Sequence, residues 1–531
     1  MEETYDFVIV GAGSAGCVLA NRLTADGRNS VLLLEAGPRD TNPWIHIPLG
    51  YGRLFVDSKI NWGYSSEPEP HLNGRRIYNP RGKVLGGSSS INGLIYIRGQ
   101  PEDFDEWRAG NRGWSWADVL PYFKRAEDQA RGADEWHGTG GPLSVEDCCE
   151  PHPLCEAFID AAEQAGFPRN PDFNGATQEG AGYFQLTSRR GRRCSAAVAY
   201  LRPAMRRPNL RVVTEAVTSR VLFDGRTASG VEYRARGALM TAKARREVIV
   251  AAGALATPPL LQRSGVGPAD LLKRLGVTPV LAHEGVGRNY HDHLQVRVAL
   301  RCTQKITLND DMVSLGRKVA MGLRYALLRK GMLTIGAGYA GGFFRTPLAE
   351  DHRPDIQSHF LVFSLDKMGE ALHPFSGFTA SSCQLRPESR GEVMAVSPDP
   401  EAPPSIRANF LSSEKDRRVN VEGLKLIRRI LAAPAMQRFI AQEHEPGEHV
   451  RSDDEILAYC RERGSTIYHP SGTCKMGDDP LAVVDHRLAV RGLERLRVVD
   501  ASVMPQVPSG NTNAAVIMIA EKASDMILGA A

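Results

Sequence analysis

The sequence is poor in the features that would mark it as a disulfide-stapled, zinc-bound or membrane-spanning protein. Its 531 residues include only nine cysteines: Cys17, Cys148, Cys149, Cys155, Cys194, Cys302, Cys383, Cys460 and Cys474. The number is odd, and there is no CxxC pair or His-Cys cluster at metal spacing, so a reduced setting without a metal site is expected. No apolar run reaches the ~18 residues that cross a bilayer. The opening MEETYDFVIV runs from acidic residues straight into an apolar strand, unlike a signal peptide, which points to a cytoplasmic protein. The formal net charge is only +4, and no partnership with nucleic acid is expected from so small an excess. Repeats and low-complexity tracts are also missing.

What is present is length enough for two or more lobes and, at the N-terminus, a complete pattern of strand, glycine turn, helix and strand. In YDFVIVGAGSAGCVLANRLTADGRNSVLLLEAGP, residues 7–10 form a short buried strand, 15–23 carry helical periodicity, and 31–34 form a second strand ending at Glu35. Gly11 permits the turn, and Gly13 lets backbone approach a pyrophosphate at the start of the helix, beside Ser14 and Ala15. Gly16 lets the helix lie close to the strand. Glu35, followed by Ala36, stands where a carboxylate meets an adenosine ribose, and its charge opposes a 2'-phosphate. This pattern does not separate NAD from FAD.

The segment PRGKVLGGSSSINGLIYIRG, residues 80–99, sets a small-residue loop before an apolar stretch. It closely resembles the first signature of the glucose-methanol-choline (GMC) family of FAD oxidoreductases. The second signature is matched by GALATPPLLQRSGVG (253–267), and VGRNYHDH (286–293), YHPSGTCKMG (468–477), DASVMP (500–505) and SGNTNAAVIMIAEKASDMI (509–527) follow in family order. The resemblance implies FAD contacts at Trp62, Gly87, Ser88, Asn92, Gly93, Leu94 and Ile95. It also implies contacts at Val217, whose backbone would meet the adenine, and at Asp500, Ala501, Asn511 and Thr512. The implied fold is α/β: a discontinuous Rossmann-like FAD-binding domain (1–158, 192–296 and 456–531) with a substrate-binding domain (159–191 and 297–455). The latter would be an antiparallel sheet backed by helices, and the alternating stretches DIQSHFLVFS and GEVMAVSPD suit its strands.

The same resemblance assigns chemistry. Oxidation of an alcohol removes a hydroxyl proton and a hydride, so a base must accompany the flavin. The family's base maps to His469, and its partner, counted from Asp500, maps to Asn511, with Asn513 two residues on as the alternative. His46, His291 and His293 are expected to be structural or supporting. Some choline-oxidising members bind flavin covalently through a histidine where this sequence has Ile91, so FAD is expected to be noncovalent. The quoted stretches are similar to bacterial alkanol and choline dehydrogenases. This implies oxidation of a primary alcohol to an aldehyde, with quinone or oxygen as acceptor; the alternatives are a choline dehydrogenase or an oxygen-using alcohol oxidase and, behind these, a hydroxynitrile lyase on the same scaffold. Phe343, Phe344, Phe360, Leu361, Val362 and Phe363 would line an apolar substrate region, which favours apolar alcohols over choline; the same aromatics equally suit a cation cage completed by one acid, or plain core. Finally, LGRKVAMGLRYALLRKGML (315–333) spaces Leu315, Val319, Leu323 and Leu327 against Arg317, Lys318, Arg324, Arg329 and Lys330. Such a basic amphipathic helix suits either a packed surface face or a peripheral place on the inner face of the cell membrane.

Overall fold

The computed structural model describes residues 3–148, 150–367 and 369–529; Cys149 lies outside them. Two seven-stranded sheets organise the chain. In the first, the strands run in the order Leu210–Val213, Val31–Leu34, Glu3–Val10 and Ala238–Val250, with Leu496–Val498 beside the end of the last. All of these pairs are parallel. Thr227–Ala235 and Ala216–Asp224 then extend the sheet antiparallel. The residues 7–10 and 31–34 are buried because helices cover both faces, which is why they read as continuous apolar runs.

Strand order reverses at Glu3–Val10: the next two parallel strands lie on one side of it, while Ala238–Val250 and Leu496–Val498 lie on the other. A crevice therefore opens beyond Val10 and Val250, where such sheets hold ligands. The helix Ser14–Leu23 starts in that crevice. Gly16 seats it, since a Cβ there would lie 1.9 Å from the Gly11 carbonyl oxygen.

The second sheet is wholly antiparallel. Its order is Ile440–Glu445, Leu294–Cys302, Gly377–Gln384, Ile356–Leu361, Ala340–Phe344 and Gly180–Tyr183, with Ser465–Thr466 beside Leu294–Gln295. Helices Pro153–Gln164 and Glu414–Leu431 pack their apolar sides on it. The stretch DIQSHFLVFS supplies Ile356–Leu361 as expected. GEVMAVSPD does not join this sheet; Gly391–Met394 pairs instead with Arg288–Tyr290 and Ser405–Arg407 in a separate three-stranded sheet. Alternation identifies a strand but not its partner.

Side-chain alternation decides what the second sheet offers the interior. Gln295 and Arg297 of one strand, and His359 and Leu361 of another, line the large cavity between the sheets. The intervening Leu294, Val296, Val298 and Phe360 belong to the core on the helix side. Of Phe343, Phe344, Phe360, Leu361, Val362 and Phe363, Leu361 alone borders the cavity; the others belong to the core, the last of the readings the sequence allowed. Phe360 stacks on Phe158 at 4.7 Å, Phe344 meets Phe167 at 4.7 Å, and Phe343 meets Phe173 at 5.2 Å.

Candidate active site

The cavity starts at the crevice of the parallel sheet. Gly11, Gly13, Ser14, Ala15, Glu35 and Ala36 line this end, whereas Gly16 faces the strand and acts only through packing. The helix Ser14–Leu23 has Gly13 as its N-cap, with no side chain satisfying its first N–H groups. The helix Asn513–Leu528 likewise begins at the cavity without a side-chain cap. Two unsatisfied helix N-termini give this end a positive potential suited to a pyrophosphate. Gly13 and Gly87 close the cradle: a Cβ on Gly87 would lie 2.7 Å from the Gly13 Cα. Bare backbone on both sides of the cleft is what a dinucleotide requires, and the residues fit one.

Glu35 lies at the far end of this cradle. Its two carboxylate oxygens accept from the Ala12 and Gly37 amides, each at 2.9 Å. Burial outweighs those bonds and raises its pKa to about 7. Val217 borders the same end. Asp500 accepts from Gly253 N at 2.8 Å, Thr257 Oγ1 at 2.6 Å and Ser502 N at 2.8 Å, so its carboxylate ties three segments together and places Ala501 on the cavity wall.

The middle of the cavity is walled by Trp62, Gly87, Ser88, Ile91, Asn92, Gly93, Leu94 and Ile95. Asn92 Oδ1 accepts from Arg193 Nη1 at 2.6 Å and from Leu94 N at 3.2 Å. Leu94 holds a left-handed φ of 66°, a strained conformation kept by its surroundings.

His469 stands at the other end. Residues Ser465 and Thr466 pair with Gln295 and Leu294, and Ile467 N donates to the His293 carbonyl at 3.2 Å, so the chain arrives directly over His293. Asp292 secures the arrival: it accepts from His469 N at 2.8 Å, Thr466 Oγ1 at 2.5 Å and Tyr290 OH at 3.1 Å. Tyr468 between them has φ of 74°, and its carbonyl accepts from Arg81 Nη2 at 2.8 Å. The strain at Tyr468 is the cost of turning the next imidazole into the cavity.

The protons of this imidazole follow from its neighbours. His293 Nε2 lies 2.9 Å from the Leu385 carbonyl oxygen, which only accepts, so Nε2 carries a hydrogen. Burial depresses the His293 pKa to about 4, leaving the ring neutral and its Nδ1 an acceptor. His469 Nδ1, 3.0 Å away, must then be the donor. The pKa of His469 is itself pushed well below the ordinary value by burial first, and then by His293, His359 and Arg81. A neutral ring with hydrogen on Nδ1 leaves a lone pair on Nε2, at the cavity. There Asn511 Nδ2 donates to that lone pair at 3.2 Å, a bond a substrate hydroxyl would replace by inserting between the two groups, while Asn511 Oδ1 accepts from Gln357 Nε2 at 3.1 Å. The site thus holds an acceptor nitrogen and an amide N–H side by side, able to take a proton from a hydroxyl and to hydrogen-bond its oxygen.

Asn513, the alternative to Asn511, accepts from Ser14 Oγ at 2.7 Å near the helix start and makes no bond to His469. Thr512 lines the wall between the two. His46 contacts the Asp40 carbonyl at 2.9 Å and His291 the Asn289 carbonyl at 2.7 Å; neither lines the cavity. The polar residues at this end that were missed in the sequence include His359, Gln295 and Arg297. These three lie on the second sheet, and only their alternation with core residues signals them.

The chain is similar to known proteins along almost its whole length. The family model described as GMC oxidoreductase matches residues 5–295 and, in its C-terminal part, 387–520. An alcohol dehydrogenase [acceptor] of Pseudomonas putida is 45% identical over 528 residues, covering 99% of this chain and 96% of its own. An oxygen-dependent choline dehydrogenase of Brucella canis is 44% identical over 527 residues, covering 99% and 95%. A formate oxidase variant of Aspergillus oryzae RIB40, solved to follow FAD modification, superposes with a TM-score of 0.92 at 28% identity, covering 99% and 98%.

The buried histidines give the site a distinct pH signature. Burial, followed by the Arg297 and His293 charges, lowers His359 to about 3. Unfolding lets such a ring take up a proton near pH ~6.5, so its contribution is complete above that pH and is lost as pH falls toward the folded value. Glu35 at about 7 and Asp292 at about 6 act in the opposite sense, so the measurement is a difference. His359→Gln is expected to gain stability relative to the parent as pH falls from about 6.5, by ~1.4 kcal/mol per pH unit at most. Thermal unfolding of both proteins across this range checks it; a pH-independent difference would contradict it.

Proposed function

The chain belongs to the GMC oxidoreductase family, and on that premise we propose that it oxidises a primary, apolar alcohol to an aldehyde, with noncovalent FAD as cofactor and His469 as base. The observation that carries this reading is the Nε2 lone pair of His469 facing the cavity beside the Asn511 amide. Bound FAD supplies the acceptor for the hydride that leaves the alcohol carbon. His469 Nε2 takes the hydroxyl proton, and the Asn511 Nδ2–H steadies the negative charge that grows on the oxygen. Gln357 keeps the Asn511 amide in the orientation that presents this donor. The bare backbone at Gly13 and Gly87 and the two helix N-termini would hold the FAD pyrophosphate, and Glu35 the adenosine ribose. Ile91 offers no nucleophile for a covalent flavin link. This reading retains the division into FAD-binding (1–158, 192–296 and 456–531) and substrate-binding (159–191 and 297–455) parts, with the helix Pro153–Gln164 and the strand Leu294–Cys302 running across two of these bounds.

The acceptor belongs to the same proposal. The helix Leu315–Leu328 buries only Tyr325, whose hydroxyl donates to the Gly191 carbonyl at 3.2 Å. Leu315 is 77% exposed, Val319 53%, Leu323 56% and Leu327 78%. Arg317, Lys318, Arg324, Arg329 and Lys330 are exposed around this apolar stripe. A stripe of this kind bordered by cations complements an anionic lipid surface. Met321 of the same helix packs in the cluster that contains Leu361, and Leu361 lines the cavity. A helix resting on the membrane beside the cavity favours a lipid-dissolved quinone as electron acceptor, with oxygen as the alternative. Among the described residues no helix is long and apolar enough to cross a membrane, so the attachment would be peripheral.

Two measurements test this reading. In anaerobic stopped-flow with a primary alcohol, His469→Ala is expected to stay yellow and bleach ~10²–10⁴-fold more slowly than the parent. Asn511→Ala should be less impaired, by ~10²–10³-fold, because it loses one oxyanion donor and keeps the base. A parental rate in His469→Ala would overturn the role of the histidine. In vesicle flotation, the protein is expected to rise with anionic but not zwitterionic vesicles, and the doubly substituted Leu323→Asp, Leu327→Asp protein to stay behind. Equal flotation of both proteins would contradict the role of the helix.

A further inference from the structure

The catalytic end of the cavity carries a cation that the reaction described above does not use. Arg297 projects from the same strand face as Gln295 and lines the cavity. Its Nε donates to Gln295 Oε1 at 3.1 Å, and Gln295 is in turn anchored by donating to Ser381 Oγ at 2.9 Å. Among the described residues no other side-chain hydrogen bond engages this guanidinium and no carboxylate lies within ion-pairing distance of it. Its charge reaches the neighbouring groups: after burial, it is the largest influence lowering the pKa of His359, and it opposes the burial that raises Tyr468.

The carboxylates bordering the cavity do not answer it. They are Glu35 and Asp500, and both accept backbone N–H groups around the dinucleotide cradle. Asp292 lies behind His469, where it is committed to Thr466, Tyr290 and the His469 amide. The catalytic end is therefore apolar at Phe55, Ala337 and Leu361 and positive at Arg297 and Arg81, of which Arg81 is already committed to the Pro80 and Tyr468 carbonyls. An arginine held at Nε keeps its two terminal nitrogens for a bidentate partner, and a carboxylate matches that fork. A quaternary ammonium would meet a like charge there instead.

Resting on the alcohol-oxidation reading, and narrowing its apolar alcohol to one with an apolar chain and an anionic far end, we infer that Arg297 makes this cavity specific for alcohols that carry a carboxylate at the end remote from the hydroxyl, so that hydroxyalkanoates are preferred over neutral alkanols and over aminoalcohols. His469 and Asn511 hold the hydroxyl, Leu361 and Phe55 the methylene chain, and Arg297 the carboxylate. The product is the corresponding aldehyde acid. A reaction that oxidises aldehydes to carboxylic acids would consume it, giving a dicarboxylate.

The test uses the FAD-loaded enzyme. Unreactive straight-chain alkanoates are titrated by calorimetry and by perturbation of the flavin absorbance. Terminal hydroxyalkanoates are then compared with 1-alkanols of matched length and with choline. Alkanoates are expected to bind, and hydroxyalkanoates to bleach the flavin at lower concentration than matched alkanols. In Arg297→Gln the alkanoate Kd and the hydroxyalkanoate KM should rise about 10- to 100-fold more than the matched alkanol KM. Arg297→Lys, which keeps the charge without the fork, should fall between. Alkanols that bleach the flavin with no advantage for the carboxylate would overturn the inference and leave the alcohol reading standing, as would equal losses for both series in Arg297→Gln. Alkanoate binding that depends on Arg297 without bleaching by any alcohol would support the carboxylate site and overturn the alcohol reading. Preference for choline would overturn the inference.

Discussion

A backbone carbonyl can only accept, and at Leu385 this restriction sets the protons of the cavity end at His469. It gives His293 its hydrogen on Nε2, which makes His293 Nδ1 an acceptor and His469 Nδ1 a donor, and so leaves the lone pair of His469 on Nε2 at the cavity. Burial keeps both rings neutral, so the arrangement does not depend on a charge. A solvated pair of histidines would share protons and tautomers freely. Here the low dielectric and a single fixed acceptor choose one.

The fold supplies the two surfaces this chain of bonds needs. The parallel sheet reverses its strand order at Glu3–Val10 and opens a crevice with two uncapped helix starts. The antiparallel sheet turns alternate residues of two strands toward that crevice, and the segment from Ser465 to Ile467 runs along it to deliver His469. Asp292 holds that delivery against the left-handed turn at Tyr468. Exposed Leu315, Val319, Leu323 and Leu327 show the same chain placing apolar surface outward beside the cavity, where a packed helix would have turned it in.

The dinucleotide half was legible because its signals are local. Strand, glycine turn, helix and acid lie within thirty-odd residues, and the structure repeats the steric reasons for Gly11 and Gly16. The two large sheets were legible through resemblance. Asn511 and Asn513 were separable only by a count, and the structure separates them by contact: one reaches His469, the other Ser14. The rest was illegible for a common physical reason. Alternation shows that a strand has two faces without saying which faces the cavity, so Phe360 stood between lining and core and His359 beside it was passed over. Arg297 and Gln295 were hidden in the same way, and the partner of Gly391–Met394 is set by register with a distant strand. Non-local pairing decides all of these, and a single sequence does not carry it.

The central claim is that His469 is a neutral ring with hydrogen on Nδ1 and a bare Nε2. Nitrogen-15 NMR of protein labelled at histidine, with the His469 signals assigned by their loss in His469→Ala, reads both nitrogens directly. The account predicts a pyrrole-type Nδ1 and a pyridine-type Nε2 at neutral pH, with His293 showing the hydrogen on Nε2. An imidazolium, or a pyrrole-type Nε2 on His469, would contradict it.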